Sequence, residues 1–161
     1  MSDVQLMAEI NLKALEQLLG RFGLCVSLVA DGAAIPGTYW GEPEAGLITD
    51  TLYIRRDTPV HSALHEAGHW ICMDEARRAG LHTDAGGTVL EECAVNYVQI
   101  LLAEQLEGVG RKRMLDDMNA WGYSYREGSV QAWLKGDAAD ARAWLVERNM
   151  LTHDEQLITQ S

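Results

Sequence analysis

The chain has 161 residues, 47% of them hydrophobic, and carries 13 Lys and Arg against 24 Asp and Glu for a net charge of −11. That length suits a single domain, residues 1–161, with its own core, and the composition is globular rather than disordered. The acidic balance argues against a nucleic-acid partner, which needs clustered Lys and Arg; the one basic run, Arg111-Lys112-Arg113, reads as a solvated helix start.

The N-terminus runs from Met-Ser-Asp into an amphipathic pattern with Glu9, Lys13 and Glu16, unlike the basic start and apolar block of a signal peptide. No stretch approaches the roughly 18 apolar residues of a membrane span. Cys25, Cys72 and Cys93 are odd in number and lack a CxxC pair, so buried free thiols are expected, not a disulfide framework or a thiolate zinc ribbon. A cytoplasmic protein with no membrane partner is the expectation.

Helical spacing over 3–19 places Val4, Leu6, Met7, Ile10, Ala14, Leu15 and Leu18 on one face, with Gly20 as a stop. Residues 22–32 read as a strand ending in an Asp-Gly turn, 37–46 as a short strand with a Gly/Pro loop, and 47–57 as one half-buried, alternating strand. Together these predict a small, mostly antiparallel sheet. Thr58 as N-cap and Pro59 at the first helical position open a helix to about Ala79, stopped by Gly80. A loop over 80–87 leads to a second long helix, 88–108. Further helices are expected at 111–121, roughly 128–135 and 137–149, the last capped by Asp137. Helix, then strands, then helices is an α+β order.

The helix opened by Thr58 and Pro59 contains "ALHEAGHWIC", residues 63–72. His65 and His69, four apart, share a face with side chains about 5–6 Å apart. That separation lets two ring nitrogens meet one zinc at about 2.0–2.1 Å. Glu66 lies beside such an ion, where a carboxylate can take a proton from a water the metal activates. Gly68 weakens a helix and leaves room near the metal. Two histidines leave a catalytic zinc one protein ligand short.

Glu91 and Glu92 lie 22 and 23 positions past His69 on the second long helix. Glu91 shares a stripe with Ala94, Val95, Val98 and Leu102, the face expected to pack on the first helix. A carboxylate there is costly unless something pairs with it, and a zinc ion does. Glu92 shares a polar stripe with Asn96, Gln99 and Ala103 that reads as outward. Helix phase therefore favours Glu91 as third ligand, with Glu92 as the alternative.

HEAGH followed at this distance by Glu-x-x-Ala resembles the gluzincin branch of the zinc metallopeptidases over about residues 47–105. It is most similar to the small members built on a minimal scaffold of helix, short sheet, active-site helix and glutamate helix (minigluzincin-like). The resemblance implies a zincin-like fold and one zinc per chain held by His65, His69 and Glu91, with Glu66 polarising water. Glu91-Glu92-Cys93-Ala94 fits the motif with Glu91 leading, and Tyr97 falls near where relatives carry an aromatic. Val95 stands where several relatives have an Asp or Asn that steadies a ligand histidine, and Asn96 is the substitute at hand. His82 lies too far along for the HExxHxxGxxH of metzincins.

Among the remaining candidates, His61 extends the histidine face and reads as a partly exposed first-turn residue. Tyr123, Tyr125 and Arg126 are possible donors to an oxyanion, though packing is the commoner use of aromatics. His153 lies in a polar tail. The expected function is a zinc-dependent peptidase acting on a peptide or protein, with strand 47–55 offering an edge to an extended substrate. The alternative is a zincin-fold binding or regulatory protein that keeps the metal but cleaves little.

Overall fold

The computed structural model describes residues 4–38, 41–80, 88–123, 125, 128–136 and 138–159. The chain enters extended, not helical. Met7 N–H donates to the Thr58 carbonyl (2.8 Å), Ala8 N–H to Arg56 (2.9 Å) and Val60 N–H to Gln5 (2.9 Å). These bonds satisfy the backbone of 5–8 against a later segment, so the helix expected over 3–19 shrinks to a 3-10 turn, Met7–Glu9, and α1, Leu12–Gly20. Asn11 caps α1 by accepting the Ala14 N–H.

Among the described residues the sheet has three strands, β1 (Cys25–Leu28), β2 (Gly46–Ile48) and β3 (Thr51–Ile54), in the order β1-β3-β2. It is mixed rather than mostly antiparallel: β1 runs parallel to β3, and only β2 is antiparallel to it. The alternation read as one strand over 47–57 is a hairpin, because Ile48 pairs with Thr51 across a two-residue turn at Thr49-Asp50. Period-2 burial continues on either side of the turn, which hides it in the pattern. β3 is consequently central and offers no free edge. The outer side of β2 is also engaged, where Leu47 N–H donates to the Gly37 carbonyl (3.3 Å).

The next helix, α2, spans Val60–Cys72. Pro59 is its N-cap, and the Thr58 hydroxyl accepts from Arg55 N–H (2.8 Å) instead of capping α2. The helix expected to run to Ala79 breaks at Met73. Asp74 then caps a separate α3, Glu75–Ala79, by accepting the Arg77 N–H. After Thr88, whose hydroxyl accepts the Glu91 N–H (3.1 Å), α4 spans Val89–Glu104. It ends four residues before the expected 108. Three helices follow: α5 (Gly110–Trp121), α6 (Val130–Lys135) and α7 (Ala138–Glu147). The Asp137 cap and most of the 80–87 loop, His82 included, lie outside the described residues.

The architecture is α+β. Helix α4 packs against α2, α5 and α7, while β2 and β3 lie on α2. One apolar cluster joins Leu15, Leu52, Leu64, Val98, Met118 and Leu145. Gly68 sits at the crossing of α2 and α4: a Cβ there would meet the Val95 carbonyl oxygen at 3.0 Å and Val95 Cγ1 at 3.1 Å. Its missing side chain makes room for α4, not for a metal. Of the cysteines expected to be buried, only Cys72 is; Cys93 is half-buried and Cys25 is exposed at the sheet edge, all three as free thiols. No helix among the described residues is long and apolar enough to cross a membrane.

Candidate metal centre

Because α2 is closely crossed by α4, the histidine face of one looks directly at a side chain of the other. The rings of His65 and His69 sit edge to face, 4.7 Å between centroids. Glu92 on α4 lies opposite both. Its Oε1 is 3.0 Å from His65 Nε2 and its Oε2 is 3.3 Å from His69 Nε2.

Hydrogen bonds behind His65 decide what its Nε2 presents. Gln99 is fully buried and its Nε2–H₂ donates to the Tyr123 hydroxyl (3.3 Å) and the Met114 sulfur (3.4 Å), so its Oε1 is the atom that faces His65 Nδ1 (2.9 Å). A carbonyl oxygen only accepts, so Nδ1 carries the proton. In the neutral ring Nε2 is then a bare lone pair aimed at a carboxylate oxygen. Two acceptors 3.0 Å apart repel unless a cation lies between them. In the metal-free chain that cation is a proton. Burial pushes His65 toward its neutral form, but Glu92, with help from Glu66 and Gln99, more than offsets this and raises its pKa. Glu92 shows the converse: burial pushes it up, and the two histidines hold it below the ordinary carboxylate range.

A small divalent ion can replace the proton. Ligand atoms at about 2.0–2.1 Å from a tetrahedral zinc lie about 3.3–3.4 Å from one another, and the observed spacings are 3.0 and 3.3 Å. His65, Glu66 and His69 also each bring a ligand atom within 4.8 Å of the other two. Two imidazoles and a carboxylate are a donor set that suits such an ion.

Glu66 lines an open cleft of about 520 Å³ beside this pair, together with Glu44, Ser62, Asn96, Trp121 and Tyr123. Burial pushes its carboxyl up to about 7; the charge of His65 opposes this, and Glu92 and Glu44 add to it. That is the range a proton acceptor needs near neutral pH. Glu44 is raised by burial as well, against a hydrogen bond from Ser62 and the charge of His65.

Glu91, the residue favoured as third ligand from helix phase, is turned the other way. Its buried carboxylate takes two bonds from the Arg77 guanidinium, 2.5 and 3.1 Å long. The break at Met73 redirects α3 so that Arg77 reaches it; along an unbroken helix that partner could not be foreseen. Glu92, read as outward, holds the position opposite the histidines. Its stripe faces inward because α4 is buried on nearly every side: Asn96 and Gln99 are buried along with Ala94, Val95 and Val98. The anchor of His65 is Gln99 and not Asn96, whose Oδ1 has no hydrogen-bond partner.

His61 is not partly exposed but 1% accessible. Burial and the charge of His65 push its pKa down to about 3, so it is neutral and its Nδ1 accepts from the Tyr123 hydroxyl (3.2 Å). Tyr123 thus belongs to the cleft, whereas Tyr125 stacks on Trp133 at 5.0 Å. Tyr97 hydrogen-bonds Glu155, and exposed His153 lies by the same separate cavity. Arg126 falls outside the described residues. Gln99 and Glu44 were not singled out as site residues from sequence; the visible signal was the polar series Glu92, Asn96, Gln99 inside an apolar helix.

No protein-family model, curated protein or solved structure matches this chain.

Proposed function

We propose that the chain is a zinc-dependent peptidase in which His65, His69 and Glu92 hold the ion and Glu66 moves the proton, and that its α+β arrangement is zincin-like. One observation carries the reading: a carboxylate on α4 faces the Nε2 atoms of both α2 histidines at ligand-to-ligand spacing. Zinc bound there supplies Lewis acidity toward a water and a substrate carbonyl. Glu66, raised to about 7, takes a proton from the attacking water and passes it to the departing amine nitrogen. Gln99 keeps the His65 lone pair aimed at the ion by holding the Nδ1 proton.

A second reading, a metal-holding binding or regulatory protein, draws support from Tyr123. Its hydroxyl is the phenol in the described cleft, and it is already committed to His61 and Gln99, not free to meet an oxyanion. The experiment separating the two is a peptide-library digest with wild type and Glu66→Gln, alongside elemental analysis. Close to one zinc per chain is expected in both proteins, with cleavage at least about 100-fold slower in the mutant. Cleavage retained in full by the mutant rejects Glu66 as the base. Metal bound without cleavage by either favours the regulatory reading, and no metal after zinc reconstitution ends both.

A further inference from the structure

The charges in the cleft do not close. A divalent ion's two positive charges are balanced by Glu92 and Glu66, and Glu44 remains. No Lys or Arg lines the cleft among the described residues. Ser62 hydrogen-bonds the Glu44 carboxylate, but its Oε2 is shielded from solvent and has no hydrogen-bond partner. Glu44 lines the same cleft as His65, Glu66 and Tyr123.

A second orphan lies in the same cleft. Asn96, 9% exposed and one helical turn beyond Glu92, lines the cleft wall, and its Oδ1 is buried without a donor. Leaving a buried acceptor unpaired costs about 1–3 kcal/mol, and more when it is charged. Two unpaired acceptor atoms, one of them a carboxylate oxygen, line the cleft beside the candidate metal centre. A ligand that relieved both would bring N–H donors and a positive charge.

Resting on the reading of this cleft as the substrate site, we infer that Glu44, with Asn96, forms a subsite for a cationic nitrogen of the substrate, so that the peptides taken carry an ammonium or guanidinium next to the bond at the metal. A Lys or Arg side chain and a free α-amino terminus supply the same chemistry, and the test distinguishes them. Glu44 is a specificity residue here; the chemistry belongs to Glu66 and the ion.

The test uses zinc-loaded Glu66→Gln protein, which binds a peptide without consuming it, and calorimetric titration with three peptides of one sequence. The first has blocked ends and a central Lys, the second has norleucine in place of that Lys, and the third has norleucine with a free amino terminus. One cationic peptide is expected to bind at least about 10-fold more tightly than the neutral one, as a charge-assisted hydrogen bond warrants. Adding Glu44→Gln should abolish that preference and leave the neutral peptide's affinity unchanged. Whichever cationic peptide wins identifies the source of the nitrogen. Equal affinity for all three, binding by none, or a preference that survives Glu44→Gln overturns the inference. Zinc content measured on the same samples separates the two proposals: a chain without metal that still shows a Glu44-dependent preference loses its metal centre and keeps its cation subsite.

Discussion

Glu91 and Glu92 are adjacent, chemically identical and both face basic side chains, yet the two sides of α4 they occupy differ in kind. Glu91 is buried against a guanidinium in a two-bond fork, and a guanidinium keeps its proton at any pH the fold survives. Glu92 is half-exposed against two imidazoles, side chains that can exist as neutral rings. The first pair is closed: a metal would have to displace a cation that cannot neutralise. The second is open: its basic partners can become neutral lone-pair donors, which is what the proposed ligand set requires. In the proposed reading, what separates a structural carboxylate from a metal ligand is therefore the partner's ability to become neutral, more than the burial of the carboxylate itself.

Exchanging the fates of the two glutamates is the hardest test of that contrast. His65→Ala or His69→Ala should cut zinc affinity by roughly 1000-fold or more, and Glu92→Ala by at least about 100-fold, since each removes a proposed ligand. Glu91→Ala should leave it within about 3-fold. Competition titration against a chromogenic chelator reads all four. A strong loss from Glu91→Ala with none from Glu92→Ala would return the third ligand to the residue that helix phase favoured.

On the closed side the expected effect is on stability. Arg77→Ala leaves a carboxylate that is 6% exposed without its partner, and should cost about 3 kcal/mol, the low end for breaking a buried pair because Arg77 itself is 39% exposed. Glu91→Ala strands only the more exposed partner and should cost less. Urea denaturation of the zinc-loaded proteins measures both; equal losses would show that the burial of Glu91 is not what makes the pair matter.

How far the sequence carried depends on whether one residue's environment could be read from its own helix. His65, Glu66 and His69 were legible as a group because their geometry is internal to α2, at spacings the helix sets. The α+β class was legible in the order of periodic segments. The side on which Glu91 and Glu92 each lie was not, because polarity marks an outward face only on a helix with an outward face, and α4 is covered by α2, α5 and α7. The Arg77 partnership needed the break at Met73, inside a run whose apolar spacing continues. The hairpin at Thr49-Asp50 was hidden because the alternation stays in phase across the turn.

The open side should also announce itself through pH in metal-free protein. Glu66, facing His65 from its own helix, Glu92 from α4 and Glu44 from the segment before β2, has a folded pKa raised from 4.5 to about 7. A raised carboxyl contributes stability that is complete below the unfolded value and lost as pH rises through the folded one. Between pH 5.5 and 7.5 the loss should be about 2 kcal/mol. His65, also raised, has the same sign: its contribution is complete below about 6.5 and fades at higher pH. Glu92 is lowered, so its contribution fades only on acidification below the ordinary carboxylate range, outside this window. Thermal melts of chelator-treated protein should fall across that range, and zinc should reverse the slope because the ion needs deprotonated ligands. A flat metal-free profile in wild type, equal to that of Glu66→Gln, would remove the strained carboxyl from the cleft.

The smallest effect sits where both sides are set at once. Gly68→Ala adds a methyl 3.0 Å from the Val95 carbonyl oxygen and 3.1 Å from its Cγ1. Alanine gains about 1 kcal/mol of helix propensity over glycine, while overpacking a tight contact costs about 1–3 kcal/mol. A backbone oxygen cannot step aside as a side-chain tip can, so α4 must move by a few tenths of an ångström. The net loss should be about 1 kcal/mol. The consequences for the two glutamates should differ. Arg77 reaches Glu91 on a long, jointed side chain and follows the shift. Two histidines fixed on α2 cannot follow Glu92, so zinc affinity should drop several-fold. Chelator competition and denaturation on this one variant read both sides together. A Gly68→Ala protein that is more stable than wild type and binds zinc equally well would mean that the helix crossing does not set the Glu92–histidine distance, and that the open pair owes its spacing to some other contact.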